Sequence, residues 1–421
     1  MFKTPTTNTI FALVAVLAIV SSGIFVWSQI NRAKNDTLPA IANNTYERIA
    51  LLESQLAQDP NNVTVALSVS DLYLQIIRET GDAELYKKIE SVLMAVTSAS
   101  TTDARILAKR AEVANGRHEF KEGLALITQA SAIDPQAAAY FGIKTDAEIE
   151  LGLYDKAQES LQKMVNLKPN FSSYTRIAYQ RELYGDKEGA LEALAAAISA
   201  GSIYRENIAW AHVESGKLLF NSNNEEAEKQ FKQAIALYPN FAPALEGLGR
   251  IAYAGGNREE ALRYLTLAFE KLLIAQYATT LGDFYTLEGD TAKAAQQYAL
   301  ANLAYKDSKG VNVDLEYALF LANHGDVAES LVRAKRAYEA RPSIYGAHVY
   351  AWALHKNNKS SEAEAKITEA LRLGQYDPIL LTHASVIYAA NDKQSEAEVF
   401  LKKAKTLSSY GTLLDASVVP N

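Results

Sequence analysis

Small residues return every 33 to 37 positions along most of this chain. Gly123, Ala157, Ala190, Ala227, Ala261, Ala294, Ser330, Ala363 and Ala397 each follow a turn by five residues. Many of those turns read alike, as at Gly185-Asp186, Gly289-Asp290, Gly325-Asp326 and Asn391-Asp392. A fixed period in this range specifies stacked units and not one globular core. The length of 421 residues would otherwise suggest two or three domains, but an array grows by adding units.

The unit is plainest over residues 242–273, APALEGLGRIAYAGGNREEALRYLTLAFEKLL. The spacing predicts a first helix over 242–254 with Leu245, Leu248 and Ile251 on one face. Gly255, Gly256 and Asn257 break it, and a second helix over 258–271 follows with Ala261, Leu262, Leu265 and Ala268 on one face. Two antiparallel helices joined by so short a turn approach closely, which small side chains at the crossing permit. Gly249, Ala261 and Ala268 form one such trio. It returns in register as Gly282, Ala294, Ala301, as Ala351, Ala363, Ala370, as Ala178, Ala190, Ala197 and as Ala318, Ser330, Ala337. Pro135, Pro169, Pro239 and Pro342 each fall twelve residues after the small residue, where they stop one helix and start the next unit. Nine units follow, starting near Ala104, Ala138, Phe171, Ile208, Ala242, Ala275, Val311, Ile344 and Pro378. A tenth, over about 64–100, has a longer turn and Ile89 in place of the small residue. Each unit is expected to touch only its neighbours along the array.

The order Leu281-Gly282, Tyr285, Gly289, Ala294, Tyr298, Ala301 resembles the tetratricopeptide repeat, and the resemblance covers about residues 46–410. It implies an all-α fold: a right-handed superhelical solenoid of about ten helix-turn-helix units whose first helices line a concave groove. Residues 172–194, 310–326 and 350–374 look more narrowly like a group of bacterial, membrane-anchored tetratricopeptide proteins of unassigned function.

The N-terminus differs from the rest. No charge occurs from Thr4 to Asn31, and the core over 10–27, IFALVAVLAIVSSGIFVW, is long enough to cross a bilayer. It predicts one transmembrane helix over residues 9–30, with Trp27 at an interface. The competing reading is an exported chain whose signal is cut near Val20-Ser21-Ser22; the apolar run continues past that point, beyond a usual signal core. Lys3 on one side and Arg32 with Lys34 on the other orient the span weakly, with the solenoid assigned to the extracytoplasmic side. The expected organisation is an anchor over 1–30, a linker over 31–45, a capping helix over 46–62, the solenoid over 63–410 and a tail over 411–421.

The formal net charge is −7 and no long Lys/Arg run occurs, which argues against nucleic acid as the main partner. The absence of cysteine excludes disulfides and thiolate metal sites. His348 and His355 are two turns apart on one helix, about 10 Å, too far to share a metal ion. Carboxylate pairs such as Glu225-Glu226 and Glu259-Glu260 open second helices, where they favour the positive end of the helix dipole. No phosphate loop, nucleophile elbow or zincin motif occurs. No catalytic, cofactor-binding or metal residue is therefore assigned, and an enzyme is not expected.

Counted by position in the unit, the groove candidates are Arg176, Tyr179, Glu182, His212, Arg250, Tyr253, Asp283, Glu316, His348, Trp352 and His355. Aromatic and Arg groups on a concave surface are the usual anchors for a peptide. The clamp that related arrays close on C-terminal carboxylates needs Lys, Asn and Arg at successive groove positions. Thr175, Tyr179 and His212 stand there instead, so that activity is not implied. The expected function is a non-enzymatic scaffold at a bacterial membrane that binds partner proteins or peptide segments. Alternatives are an exported soluble binding protein and an accessory subunit of an envelope enzyme complex.

Overall fold

The computed structural model describes residues 40–97, 103–308, 310–375 and 377–407. Twenty-one α-helices cover them, and no strand occurs among the described residues. Helix α1 (Ala40–Gln58) precedes ten helical hairpins. These are α2 (Val63–Thr80) with α3 (Leu85–Thr97), α4 (Ala104–Gly116) with α5 (Phe120–Ile133), and α6 (Ala138–Glu150) with α7 (Tyr154–Leu167). Next come α8 (Phe171–Leu183) with α9 (Lys187–Ala200), α10 (Arg205–Leu219) with α11 (Asn224–Leu237), and α12 (Ala242–Ala254) with α13 (Arg258–Lys271). The last four are α14 (Ala275–Leu287) with α15 (Thr291–Lys306), α16 (Asp314–His324) with α17 (Val327–Ala340), α18 (Ile344–Lys356) with α19 (Ser360–Ala370), and α20 (Pro378–Ala389) with α21 (Gln394–Leu407). The expected anchor over 9–30 and the tail lie outside the described residues. Among those described, no helix is long and apolar enough to cross a membrane.

The Gly-Asp turns have a mechanical reason. Gly185 and Gly289 take positive φ, 75° and 79°, which ends the first helix without a Cβ clash. The following carboxylate then caps the second helix. Asp186 accepts the Gly189 N–H at 2.9 Å, and Asp290 accepts the Lys293 N–H at 3.1 Å. Asn223 and Asn257 do the same for Glu226 and Glu260. All nine periodic small residues are buried. A Cβ on Gly249 would stand 2.7 Å from Leu265 Cδ2, so a larger residue there would force the Leu265 side chain to shift. Ser330 uses its polar atom at the crossing, donating from Oγ to the Ala318 carbonyl at 2.8 Å. In the first hairpin Ile89 is fully buried in the small residue's place. Two units start three residues from the expected points: at Arg205 instead of Ile208, and at Asp314 instead of Val311.

One expectation is corrected by the packing. The array does not touch only its neighbours; it winds back on itself. The Asn312 N–H donates to the Arg117 carbonyl at 3.0 Å, and His118 Nδ1 donates to the Asn312 carbonyl at 2.9 Å. Lys121 Nζ donates to the Glu339 carbonyl at 3.0 Å. Arg341 Nε reaches Glu150 at 2.5 Å. Ile149, Tyr154, Ala157, Leu183 and Ile344 form one buried apolar cluster, with Leu373 packed against it. A second seam brings Leu272 and Ile274 against Gly81. Burial of Ile344 and Tyr154 in a shared cluster makes this seam a piece of core, and not a surface touch.

Candidate inner-face cavity

Three successive first helices, α6, α8 and α10, wall a cavity of about 440 Å³. On α8, Thr175, Ala178, Tyr179 and Glu182 share one face, and on α10 Trp210, Glu214 and Leu218 recur every fourth residue on one face. Asp146 enters from α6, and Leu194 from α9 supplies apolar wall. Tyr179 is 42% exposed and Trp210 is 37% exposed. Both are large aromatic side chains open in a concavity, where the unit's own packing does not use them.

Arg176 is committed within the protein. Its guanidinium forms two parallel bonds to Asp146, Nε to Oδ1 at 2.8 Å and Nη2 to Oδ2 at 2.6 Å. Nε also donates to the Gly142 carbonyl at 3.1 Å. Gly142 makes the room, since a Cβ there would lie 3.2 Å from the guanidinium carbon. Burial works against the Arg176 charge, the Asp146 carboxylate outweighs it, and the group is held above its ordinary range. Lys217 donates to Glu214 at 2.8 Å. Glu182 has no ion pair or side-chain hydrogen bond among the described residues. Its carboxyl reaches water, but surrounding protein crowds it. Burial, then Glu214 and Asp377, push it up to about 7 against the opposing charge of Lys217. Asp377 belongs to the turn before α20. Burial likewise pushes the Tyr179 hydroxyl well up, with Glu150 and Glu182 adding to it.

The structure thus brings Arg176, Tyr179 and Glu182 together and separates them from the other sequence candidates. Four of those are core residues. Trp352 is 4% exposed, stacks on His383 with centroids 3.6 Å apart, and donates from Nε1 to Asn323 at 2.7 Å. His348 is 2% exposed and shares a 2.9 Å hydrogen bond with His383. Tyr253 packs edge-on to Phe284 under the Arg258 guanidinium. Asp283 is buried and accepts from the Tyr298 hydroxyl at 2.8 Å, with His324 Nε2 at 3.3 Å. The burial of Trp352 and His348 follows from close packing of the first helices α16, α18 and α20 on one another. Others are half-buried and engaged. His212 bonds Gln230 at 2.7 Å, His355 bonds Ser360 at 3.0 Å, Arg250 pairs with Glu246, and Glu316 pairs with Arg341 at 3.3 Å.

Sequence reasoning missed Trp210, Glu214 and Asp146. The start of α10 at Arg205 moves its inner face; positions counted from Ile208 select His212, which turns toward α11. The i, i+4, i+8 run of Trp210, Glu214 and Leu218 was the readable signal.

No protein-family model matches the chain, and no curated protein matches it. Solved structures with partial likeness to the chain are known. The human IFIT1 dimer with PPP-AAAA is 12% identical, covering 90% of this chain and 93% of that one at a TM-score of 0.46. PilW, a type IV pilus biogenesis factor, is 18% identical, covering 50% of this chain and 98% of that one at 0.41. YrrB, described as having an unusual peptide-binding site, is 22% identical, covering 42% of this chain and 91% of that one at 0.31.

Proposed function

We propose that this tetratricopeptide-type solenoid is a non-enzymatic scaffold that holds a segment of a partner protein in the cavity between α6, α8 and α10. One observation carries the reading. Tyr179, Trp210 and Glu182 are bulky groups turned into a concavity, and none belongs to the buried apolar cluster beside it. Exposed aromatics in a concave site are the side chains that most often carry binding energy between proteins. We assign residues 9–30 as the membrane anchor and the solenoid to the extracytoplasmic side, from the uncharged run over 4–31 and the apolar stretch within it.

The test is recovery of partners from native membranes with the full-length chain solubilised in detergent. Changing Tyr179 and Trp210 together to alanine should lower recovery of a specific partner by well over tenfold, since each such anchor is worth ~2 kcal/mol. Glu225→Ala on an exposed second-helix position should leave it unchanged. Equal recovery by all three proteins would remove the cavity from the account. Carbonate extraction tests the anchor: the chain should stay in the pellet, and a mature N-terminus near Gly23 would show instead that the signal is cleaved.

A further inference from the structure

We propose that the cavity seats one cationic side chain, a Lys or Arg of an extended partner segment, between the open rings of Tyr179 and Trp210 and beside the Glu182 carboxylate. This rests on the scaffold reading and names the chemistry of what the cavity takes.

Among the described residues that line the cavity, Glu182 is the charged group that closes no ion pair. Asp146 is neutralised by the two-bond pair with Arg176, and Glu214 by Lys217. The charge of Lys217 favours the Glu182 carboxylate, and burial, Glu214 and Asp377 oppose it. A cation placed there relieves that repulsion, and an anion would add to it. The guanidinium that could have received an acidic ligand is already used. Aromatic faces attract cations, and two of them stand open in the same concavity. Apolar wall from Leu194, Leu218 and Ala178 suits the methylene stem behind a charged head. A phosphate backbone meets the same carboxylates unfavourably, which separates this site from one made for nucleic acid.

The probe is a set of neutral-context heptapeptides, Gly- and Ser-based, with Arg, Lys, Gln or Glu at the centre. Binding to the full-length protein in detergent is followed by calorimetry, alongside free argininamide and a short RNA oligonucleotide. The Arg and Lys peptides should bind at least tenfold more tightly than the Gln peptide, and more tightly than argininamide. Glu182→Gln should abolish that preference, Glu182→Asp should keep part of it, and Glu225→Gln should not change it. The preference should also grow from pH 6 to pH 8. Over that range Glu182 gains its charge, with Lys217 assisting and Glu214 and Asp377 resisting, while the peptide cation stays charged. Equal binding of the Arg and Gln peptides, tighter binding of the Glu peptide or of RNA, or a preference that survives Glu182→Gln would each overturn the proposal. If such binding is still lost in Trp210→Ala, the cavity remains a binding site and only its charge preference falls. If no probe binds and Tyr179/Trp210 alanine variants recover partners normally, both readings fall.

Discussion

The Tyr154 hydroxyl accepts the backbone N–H of Ile344 at 2.8 Å, across 190 residues of chain. Ile344 opens α18, and the first amides of a helix have no acceptor within it. A side chain from another turn of the spiral therefore supplies the acceptor. Burial raises the Tyr154 phenol to about 12, so it stays neutral and the bond persists over the ordinary pH range. Tyr154→Phe removes the acceptor and leaves a buried amide unpaired. The expected loss is about 1–3 kcal/mol. Hydrogen exchange should rise at Ile344 and along the start of α18; unchanged exchange there would mean the bond contributes nothing to the seam.

Gly152 tests the closure by sterics. It has φ +70°, and a Cβ on it would lie 2.4 Å from the Pro342 carbonyl oxygen, a backbone atom of the neighbouring turn. Gly152→Ala should add strain of about 1–3 kcal/mol and push the two turns apart. Small-angle scattering should show a larger radius of gyration with helicity retained by circular dichroism. An unchanged radius would place the seam's strength elsewhere.

Much of this molecule was legible from one period. The spacing of Ala157, Ala190, Ala227 and Ala261 located the hairpins to within three residues, because helix crossings tolerate only small side chains and such positions are local in sequence. The seam was not legible. Tyr154 and Ile344 carry no local pattern that pairs them; their meeting depends on the small rotation accumulated over five intervening units. The site was half legible for the same reason. Arg176, Tyr179 and Glu182 face the cavity as counted, but Trp352 and His348 occupy matching positions where neighbouring helices close over them. Position in the unit sets direction, and the packing of the next unit decides burial.

Overpacking a crossing should show both the local and the closed character of the fold. Ala261 is fully buried between α12 and α13. Ala261→Leu should cost about 1–3 kcal/mol. Loss of exchange protection should centre on α12 to α14 and extend to Gly81, which packs against Leu272 and Ile274. Uniform loss from end to end would contradict the nearest-neighbour part of the account, and no change at Gly81 would contradict the second seam.

Acid should loosen the last hairpins. His383 is fully buried, and burial first, then His348, His355 and Lys356, hold its pKa well below the usual value of 6.5. The folded state thus disfavours a proton that the unfolded chain accepts. Stability is fully present above pH 6.5 and falls as the pH drops below it, by up to about 1.4 kcal/mol per unit. Urea unfolding followed by the Trp352 environment should show this decline between pH 7.5 and 5.5, and His383→Asn should flatten it. A wild-type midpoint constant over that range would exclude His383 as the source.

Site-specific photo-crosslinking can locate a bound partner on the solenoid. A benzoylphenylalanine in place of Leu218 lies in the cavity wall, and one in place of Glu225 lies on an exposed second helix. With the full-length chain expressed in its native cells, an adduct to a discrete partner polypeptide is expected from position 218 and none from position 225. Adducts from 225 with none from 218 would contradict the proposed function.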